Sequence, residues 1–428
     1  MLVHICCSVD SHYFLSELQK EFPGEKFTGF FYNPNIHPKS EHDLRLSDVR
    51  RSCEMLGISL IEGKYDDTSW CEGVRGLENE PEKGDRCVRC FDIRLEESAK
   101  IALELGEQRF TTTLLSSPMK EQEVLYQQGD QIAQMHGLDF IKINVRSNGG
   151  VQRQNELAKK DNLYRQNYCG CKYALTKQRE KQERFSLESI SEIGRRALPG
   201  SIEERQETFD KRNHLERNGR DYILTQRKMR IYRLLWGKIS YNDAVIPSYI
   251  LAHSDSRSAR VGAIVWIKTS VKIPNNARAN LLNPPAYLPT NSPTYSSAHS
   301  PAHLQGFRDT NALDSGLESK KVEKSEKVEK SDSDALHIHL GFGKKDDALF
   351  ICMKDFNKLA CSAYKRALDM LYHPPRYEVE LDIRACICGS ETTNPIIIID
   401  KPTEQNLKVE IKSLFQEEKV FCITEAAR

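Results

Sequence analysis

MLVHICCSVDS, residues 1–11, decides the fold. Leu2–Cys6 is a short apolar run that reads as a strand, and Ser11–Phe22 carries apolar residues at helical spacing. The alternation then continues. Phe27–Tyr32 reads as a strand closed by the turn signal Asn33-Pro34, and Ser40–Leu56 as a charged amphipathic helix. Ile58–Ile61 reads as a third strand, Cys90–Leu105 as a helix, Arg109–Leu115 as a fourth strand, Lys120–His136 as a helix and Asp139–Val145 as a fifth strand. Strand and helix in turn predict an α/β fold, a parallel sheet flanked by helices on both faces. Ligands in such sheets sit beyond the carboxyl ends of the strands. Cys6, Cys7 and Asp10 stand just past the first strand, and Ser116-Ser117-Pro118 just past the fourth.

Six of the thirteen cysteines fall in three close pairs: Cys6-Cys7, Cys87-x-x-Cys90 and Cys169-Gly-Cys171. Each pair offers two soft ligands to one metal, iron–sulfur or zinc. Four thiolates complete either kind of centre, so six are a surplus that a structural zinc site does not need. Adjacent cysteines point opposite ways in an extended strand. Cys6 and Cys7 therefore face one metal only if the chain turns there; otherwise one of them serves a second centre. Asp10 offers that second centre a hard oxygen. Cys169-Gly-Cys171 is too short for an unstrained disulfide, so it is also a candidate redox dithiol. Taken singly, two of the pairs read more plainly: Cys6-Cys7 as buried strand-end thiols, and Cys87-x-x-Cys90 as structural zinc just as readily as a redox or cluster site. Cys53 and Cys71 are isolated. Cys352, Cys361 and Cys422 read as core, and Cys386-Ile387-Cys388 as a weaker metal candidate on a strand.

The chain of 428 residues suggests two or three domains. Its net charge of +1 confines any basic surface to a patch. The mean hydropathy of −0.58 is that of a chain only partly packed. The N-terminus has no signal-peptide pattern and no apolar run is long enough to span a bilayer, so a cytoplasmic protein with reduced thiols is expected. Residues 1–184 form the alternating domain. Residues 185–240 read as a helical extension crowded with cations, among them Arg195, Arg205, Lys211, Arg212, Arg217, Arg220, Arg227, Lys228, Arg230 and Arg233. Residues 284–334 include the tandem KVEKSE and KVEKSD, and read as a disordered linker. On either side of it, 241–283 and 335–428 are expected to form one small α+β domain. Val261–Ile267, Tyr377–Ile383, Pro395–Ile399 and Leu407–Ile411 are its strands and Asp355–Leu371 its helix.

HICCSVD at the N-terminus, YNPNIHP at Tyr32–Pro38, GDRCVRC at 84–90, TTTLLSSP at Thr111–Pro118 and LYRQNYCGC at Leu163–Cys171 together resemble the QueH-type epoxyqueuosine reductases. The resemblance covers about residues 1–180. It implies a Rossmann-like fold of the adenine-nucleotide α-hydrolase-like kind. It implies reduction of the epoxide of epoxyqueuosine to queuosine at the wobble position of tRNA, with a [4Fe–4S] cluster, an adjacent mononuclear iron and no cobalamin. On that resemblance Cys6, Cys7, Cys87 and Cys90 are expected to hold the cluster. Cys169 and Cys171 either surround the second iron or cycle as a redox pair, and Asp10 ligates that iron. The partners implied are tRNA and an electron donor such as ferredoxin or flavodoxin. Tyr32, Tyr164 and His37 are the candidate proton donors. Arg165, Gln166, Tyr168 and Lys172 are candidates to receive an extruded base.

Nucleotide α-hydrolase relatives carry Ser-Gly-Gly-x-Asp-Ser after the first strand. This chain has Cys6-Cys7-Ser8-Val9-Asp10-Ser11, without the glycines that let backbone wrap a phosphate. The cationic stretch 195–233 reads equally as a phosphate track or as a solvated, salt-bridged face. Two other readings compete: a zinc-stapled RNA-binding module, and an ATP-dependent sulfur-transfer enzyme of the same fold, which would need the missing phosphate loop.

Overall fold

The computed structural model describes residues 1–190, 192–194, 196–272, 335–344 and 347–426. They divide into two compact units, 1–233 with 413–428, and 234–412. The linker expected at 284–334 and the cation Arg195 lie outside the described residues.

The first unit is built on a five-stranded sheet. Its strands are β1 (Leu2–Ile5), β2 (Thr28–Phe31), β3 (Ser59–Glu62), β4 (Arg109–Thr112) and β5 (Asp139–Phe140). All pair in parallel, in the order β3-β2-β1-β4-β5. Every residue of β1 is buried, as an apolar strand covered on both faces requires. Helices α1 (Ser8–Glu21), α2 (Lys39–Leu56), α3 (Asp67–Gly73), α4 (Asp85–Glu104), α5 (Gln122–His136), α6 (Gly150–Lys160) and α7 (Lys172–Lys181) connect or follow the strands. Gly57 and Gly137 end α2 and α5 in the left-handed region, where a side chain would be strained. The chain winds outward from β1 to β3, then returns to lay β4 on the other side of β1. The crevice between β1 and β4 is thus a switch point, and Cys6 and Cys7 leave β1 into it.

Two expected strands are shorter than read. β4 stops at Thr112, whose Oγ1 accepts from Leu114 N at 3.2 Å and turns Thr113–Ser116 into a 3-10 turn. β5 stops at Phe140. Among its described residues, the expected helical extension at 185–240 holds one α-helix, α8 (Ile202–Arg217), and then becomes a strand, β6 (Tyr222–Tyr241). Its Tyr, Ile and Thr content favours a strand, and its run of charges belongs to a strand exposed on both faces from Thr225 to Arg230.

The second unit contains a mixed sheet in the order β10-β11-β12-β13-β8. These strands are β8 (Ser248–Ile250), β10 (Ile264–Lys272), β11 (Ala335–Gly343), β12 (Leu349–Cys352) and β13 (Ile396–Ile399). β12 and β13 pair in parallel, the others antiparallel. Ile396 and Ile398 face one core, Ile397 and Ile399 the other, as strand alternation dictates. The expected strand Tyr377–Ile383 is instead a helix, Tyr377–Cys388. Its sequence alternates for a few residues, but Tyr377, Glu380, Ile383 and Arg384 share a buried face at three- and four-residue steps. The pair Cys386 and Cys388 therefore lies at a helix end, not in a strand. The expected helix Asp355–Leu371 breaks at Cys361 (φ 47°) into Met353–Ala360 and Ala367–Tyr372. Leu407–Ile411 extends to Glu425 as a longer strand, which also places 413–428 with the first unit rather than the second. Among the described residues no helix is long and apolar enough to cross a membrane.

Candidate metal centre

The chain does turn at the vicinal cysteines. Asn33 Nδ2 donates to Ile5 O at 2.8 Å, and Cys6 N donates to Thr113 Oγ1 at 3.1 Å, which fixes the end of β1. Cys7 is the N-cap of α1, with extended backbone, and Asp10 lies in the helix's first turn. Cys6 Sγ is then 3.9 Å from Cys7 Sγ and 3.4 Å from Asp10 Oδ2. The ligand atoms of these three residues all lie within 4.8 Å of one another, and they are the one such group among the described residues. Gln154 on α6 donates to Asp10 Oδ1 at 2.8 Å and accepts from Ser116 Oγ at 2.8 Å. Burial pushes the Asp10 carboxyl up, and the Cys6 hydrogen bond followed by burial pushes the Cys7 thiol up. Two soft donors and one hard donor, none committed to a cation, fit a single transition-metal ion.

The other four paired cysteines come from α4 and from the segment that leads into α7. Cys87 and Cys90 share one face of the first turns of α4. Lys83 N donates to Cys87 Sγ and Trp70 Nε1 to Cys90 Sγ, both at 3.3 Å. Cys90 and Cys171 pack in one apolar cluster with Trp70 and Val74. Lys120 Nζ stands 3.2 Å from Cys169 Sγ. Burial raises the Cys87 and Cys90 thiols and pushes Cys171 up to about 12. Burial alone would raise Cys169 too, but the Lys120 ammonium together with Arg94 and Arg45 outweighs it and holds that thiol below its usual value. Of the residues that the resemblance expects to hold metal, Cys6 and Cys7 have their ligand atoms grouped with that of Asp10.

A buried ion pair positions the third cysteine pair. Arg45, held by Glu41 at 2.8 Å, donates to Tyr168 O and Cys169 O, both at 3.0 Å. Tyr168 OH donates to His37 O at 2.5 Å, and His37 N donates to Gly170 O at 2.8 Å. Gly170 sits at φ +112°, and a Cβ there would approach Ile36 Cγ1 to 2.8 Å. A glycine between the two cysteines is therefore required on two counts.

A cavity of about 280 Å³ opens at the switch point, lined by Cys6, Cys7, Asp10, Lys120, Tyr168 and Cys169 among others. Gln166 also lines it. The three candidate proton donors do not. Tyr32 stacks on Phe30 with ring centroids 5.7 Å apart, and its carbonyl accepts from His4 Nε2 at 3.1 Å. Tyr164 is buried with its hydroxyl on Glu41 at 2.8 Å. His37 holds Asn35 O through Nδ1 at 2.9 Å. Lys172 turns away, its Nζ 3.3 Å from Cys71 Sγ. Within the cationic stretch, Arg212 is fully buried on Asp48 at 2.7 Å and Arg233 donates to Pro199 O at 2.8 Å, so those two are structural. Sequence reasoning missed Arg45, Arg94, Lys120 and Gln154 at the site. Lys120 had a signal, two residues beyond the Ser-Ser-Pro that follows β4. Gln154 had none.

A parallel sheet that offers paired thiols, a half-buried carboxylate and a half-buried lysine to a cavity at its switch point fits a thiol-centred α/β oxidoreductase. The family model for epoxyqueuosine reductase QueH matches residues 1–177. A curated epoxyqueuosine reductase QueH of Helicobacter pylori is 38% identical over 430 residues, 98% of this chain and 99% of that one. The chain belongs to the epoxyqueuosine reductase QueH family. A relative of the same description from Acinetobacter baylyi is 39% identical over 176 residues, 41% of this chain and 80% of that one. One from Thermotoga maritima is 34% identical over 189 residues, 44% of this chain and 95% of that one. Among solved structures, a U34-tRNA thiolase NcsA from Methanococcus maripaludis with its [4Fe-4S] cluster superposes with a TM-score of 0.28 at 16% identity, over 51% of this chain and 67% of that one, too loosely to bear on the site.

Proposed function

We propose that the protein reduces epoxyqueuosine to queuosine in the anticodon of tRNA, and that the cavity at the end of β1 is where it does so. The supporting observation is the mixed sulfur–oxygen set of Cys6, Cys7 and Asp10 at a cavity that Cys169 also lines. In this reading Cys6, Cys7 and Asp10 hold a single iron, and Cys87, Cys90, Cys169 and Cys171 hold a [4Fe–4S] cluster. The donor chemistry fits both groups: four thiolates suit a cubane, and two thiolates with one carboxylate leave positions open on an iron. Bound there, the metals would supply electrons singly and a Lewis acid for the epoxide oxygen.

The reaction takes an epoxide, two electrons and two protons to an alkene and water. The chain's own part is positioning, water exclusion and charge. Tyr168 and Gln166 wall the entering base. Lys120, half-buried at the cavity and held cationic by Cys169 after the opposing effect of desolvation, donates a hydrogen bond to the departing oxygen, where charge develops. It replaces Tyr32, Tyr164 and His37 as the group to test for proton delivery. The electrons come from a carrier of the ferredoxin or flavodoxin kind, and the tRNA substrate places the protein in the cytoplasm. The fold reads as the adenine-nucleotide α-hydrolase-like branch of the Rossmann-like sheets, with thiols where the phosphate loop would be.

Anaerobic purification of the full chain tests this. The expected preparation is brown, bleaches with dithionite, contains about five irons per chain and turns over epoxyqueuosine-containing tRNA. Asp10→Ala should keep the brown chromophore and most of the iron while losing turnover at least a hundredfold. A colourless protein with stoichiometric zinc, or full turnover by Asp10→Ala, would overturn the reading.

A further inference from the structure

A second cavity of about 330 Å³ adjoins the first within the same unit. Six cationic side chains line it, Arg165, Arg179, Arg184, Arg205, Lys228 and Lys419, against two carboxylates, Glu417 and Glu418. Arg184 pairs with Glu418, and Lys228 with Glu417 at 3.2 Å. Arg165 and Lys419 have no ion pair among the described residues. Arg179 and Arg205 are only 4% and 6% exposed, and both rest on one carboxylate, Glu188. Glu41, the other carboxylate near Arg205, already holds Arg45. Three buried guanidiniums thus share two buried carboxylates. Burying an excess cation is costly unless an anion completes the set.

The two cavities share Asn167 and Gln178. Arg165 faces the cationic one, while Gln166, Tyr168 and Cys169 face the thiol-lined one, so a single short segment separates them. The cationic cavity offers no free aromatic face. Phe421, its one aromatic, is packed on Phe209 with centroids 5.1 Å apart and on Tyr164 at 6.0 Å. Stacking platforms take bases; cations without them take phosphates.

We infer that the cavity between Arg165, Arg205 and Lys419 binds the phosphodiester backbone of RNA beside the nucleotide that enters the thiol-lined cavity. This rests on the proposed RNA substrate and adds where its backbone is gripped. The site is read through charge alone, so it should be blind to base sequence and sensitive to salt.

The test uses the full chain, prepared anaerobically, and an unmodified anticodon stem–loop RNA whose binding is measured against salt. Arg165→Ala/Lys419→Ala changes two exposed side chains away from the thiols, so iron content should match wild type. Two lost contacts should lower the salt slope by about 1.4, and the two binding curves should converge by about sevenfold between roughly 50 and 200 mM salt. Arg165→Lys/Lys419→Arg should restore the wild-type slope. An unchanged slope in the alanine variant, a lost slope in the charge-conserving one, or no RNA binding by wild type would each overturn the inference. Turnover of the epoxide-containing stem–loop by wild type is read separately. If turnover is present while the slopes coincide, the reductase reading stands and the phosphate site falls. If turnover is absent while the slopes differ, the phosphate site stands and the reductase reading falls.

Discussion

Both units bury charged side chains, but to different ends. In the second unit Glu380 accepts Tyr249 OH at 2.6 Å and Ala252 N at 2.7 Å, and Arg384 donates to Ala252 O at 2.9 Å and Asn394 O at 2.8 Å. Asp355 accepts His339 N at 2.9 Å. These groups pin loops to a helix and to a strand edge. In the first unit Arg45 and Asn33 perform the same service, yet the backbone they hold carries Cys169 and leads into Cys6. A satisfied buried network is therefore no mark of a site by itself. What separates the units is the cargo: thiols brought to a cavity in one, scattered in the other. Residues 1–177, which the family model matches, fall in the first unit.

The comparison breaks most visibly at the cysteines. Cys90→Ala should strip most of the cluster iron and with it the chromophore and turnover, whereas Cys388→Ala should change neither. Cys388 is occupied locally, its Sγ 2.9 Å from Thr392 Oγ1 at the end of a helix. Iron and sulfide assays on the two variants decide it. Equal iron in both would erase the distinction between the units.

The next effect is on stability. Asp48 accepts Tyr164 N at 2.7 Å, takes the Ser8 hydroxyl at the start of α1, and pairs with the fully buried Arg212 at 2.7 Å. Asp48→Ala leaves that guanidinium buried and uncompensated, at a cost of about 3–5 kcal/mol. Asp347 in the second unit pairs with Arg257 near solvent, and Asp347→Ala should cost no more than about 1 kcal/mol. Chemical denaturation of the apo chains measures both.

A smaller effect should follow from the outer partner of Asp10. Gln154→Ala removes the hydrogen bond that orients the carboxylate, and outer partners of metal ligands are worth about 10–100-fold in affinity or activity. Turnover should fall by that factor while the chromophore stays. A loss as large as that of Asp10→Ala would mean that Gln154 touches the substrate itself.

How much of this was legible follows from the same contrast. The five strands of the first sheet were readable because each is an apolar run between helical periods, and Cys6, Cys7 and Asp10 were readable as chemistry at the end of the first. The placement of Cys169 at the cavity was not readable, because it depends on the loop that Arg45 and Gly170 arrange. Arg45, four residues after Glu41 on a charged helix, has nothing in its spacing to set it apart from a surface charge. In the second unit, Tyr377–Ile383 alternates like a strand and folds as a helix, because its buried face is set by Glu380 and Arg384, polar residues that a hydrophobic pattern ignores. β6 failed in the opposite direction: its cations looked like a helix's solvated face.

The smallest effect tests whether the first unit's buried polar network makes it the acid-sensitive part. His42 on α2 lies between Phe31 and Tyr65, with ring centroids 5.1 and 4.6 Å away. Burial lowers its pKa, Lys39 and Arg45 lower it further, and Asp43, 3.1 Å from Nδ1, opposes them without prevailing. The imidazole is therefore neutral in the folded chain at a pH where the unfolded chain has begun to protonate it. Above the unfolded value of about 6.5 the group contributes no pH dependence. As pH falls through that value the unfolded state gains the proton first, so stability drops, by at most about 1.4 kcal/mol per pH unit, until the folded pKa is reached. His42→Phe keeps the aromatic contacts and removes the titration. Its stability relative to wild type should rise as pH is lowered from 7 to 5 and should be flat above 7, as read from denaturation midpoints of the apo chains. A difference that stays constant across that range would mean that His42 titrates alike in both states, and that burial beside Phe31 and Tyr65 does not set its charge.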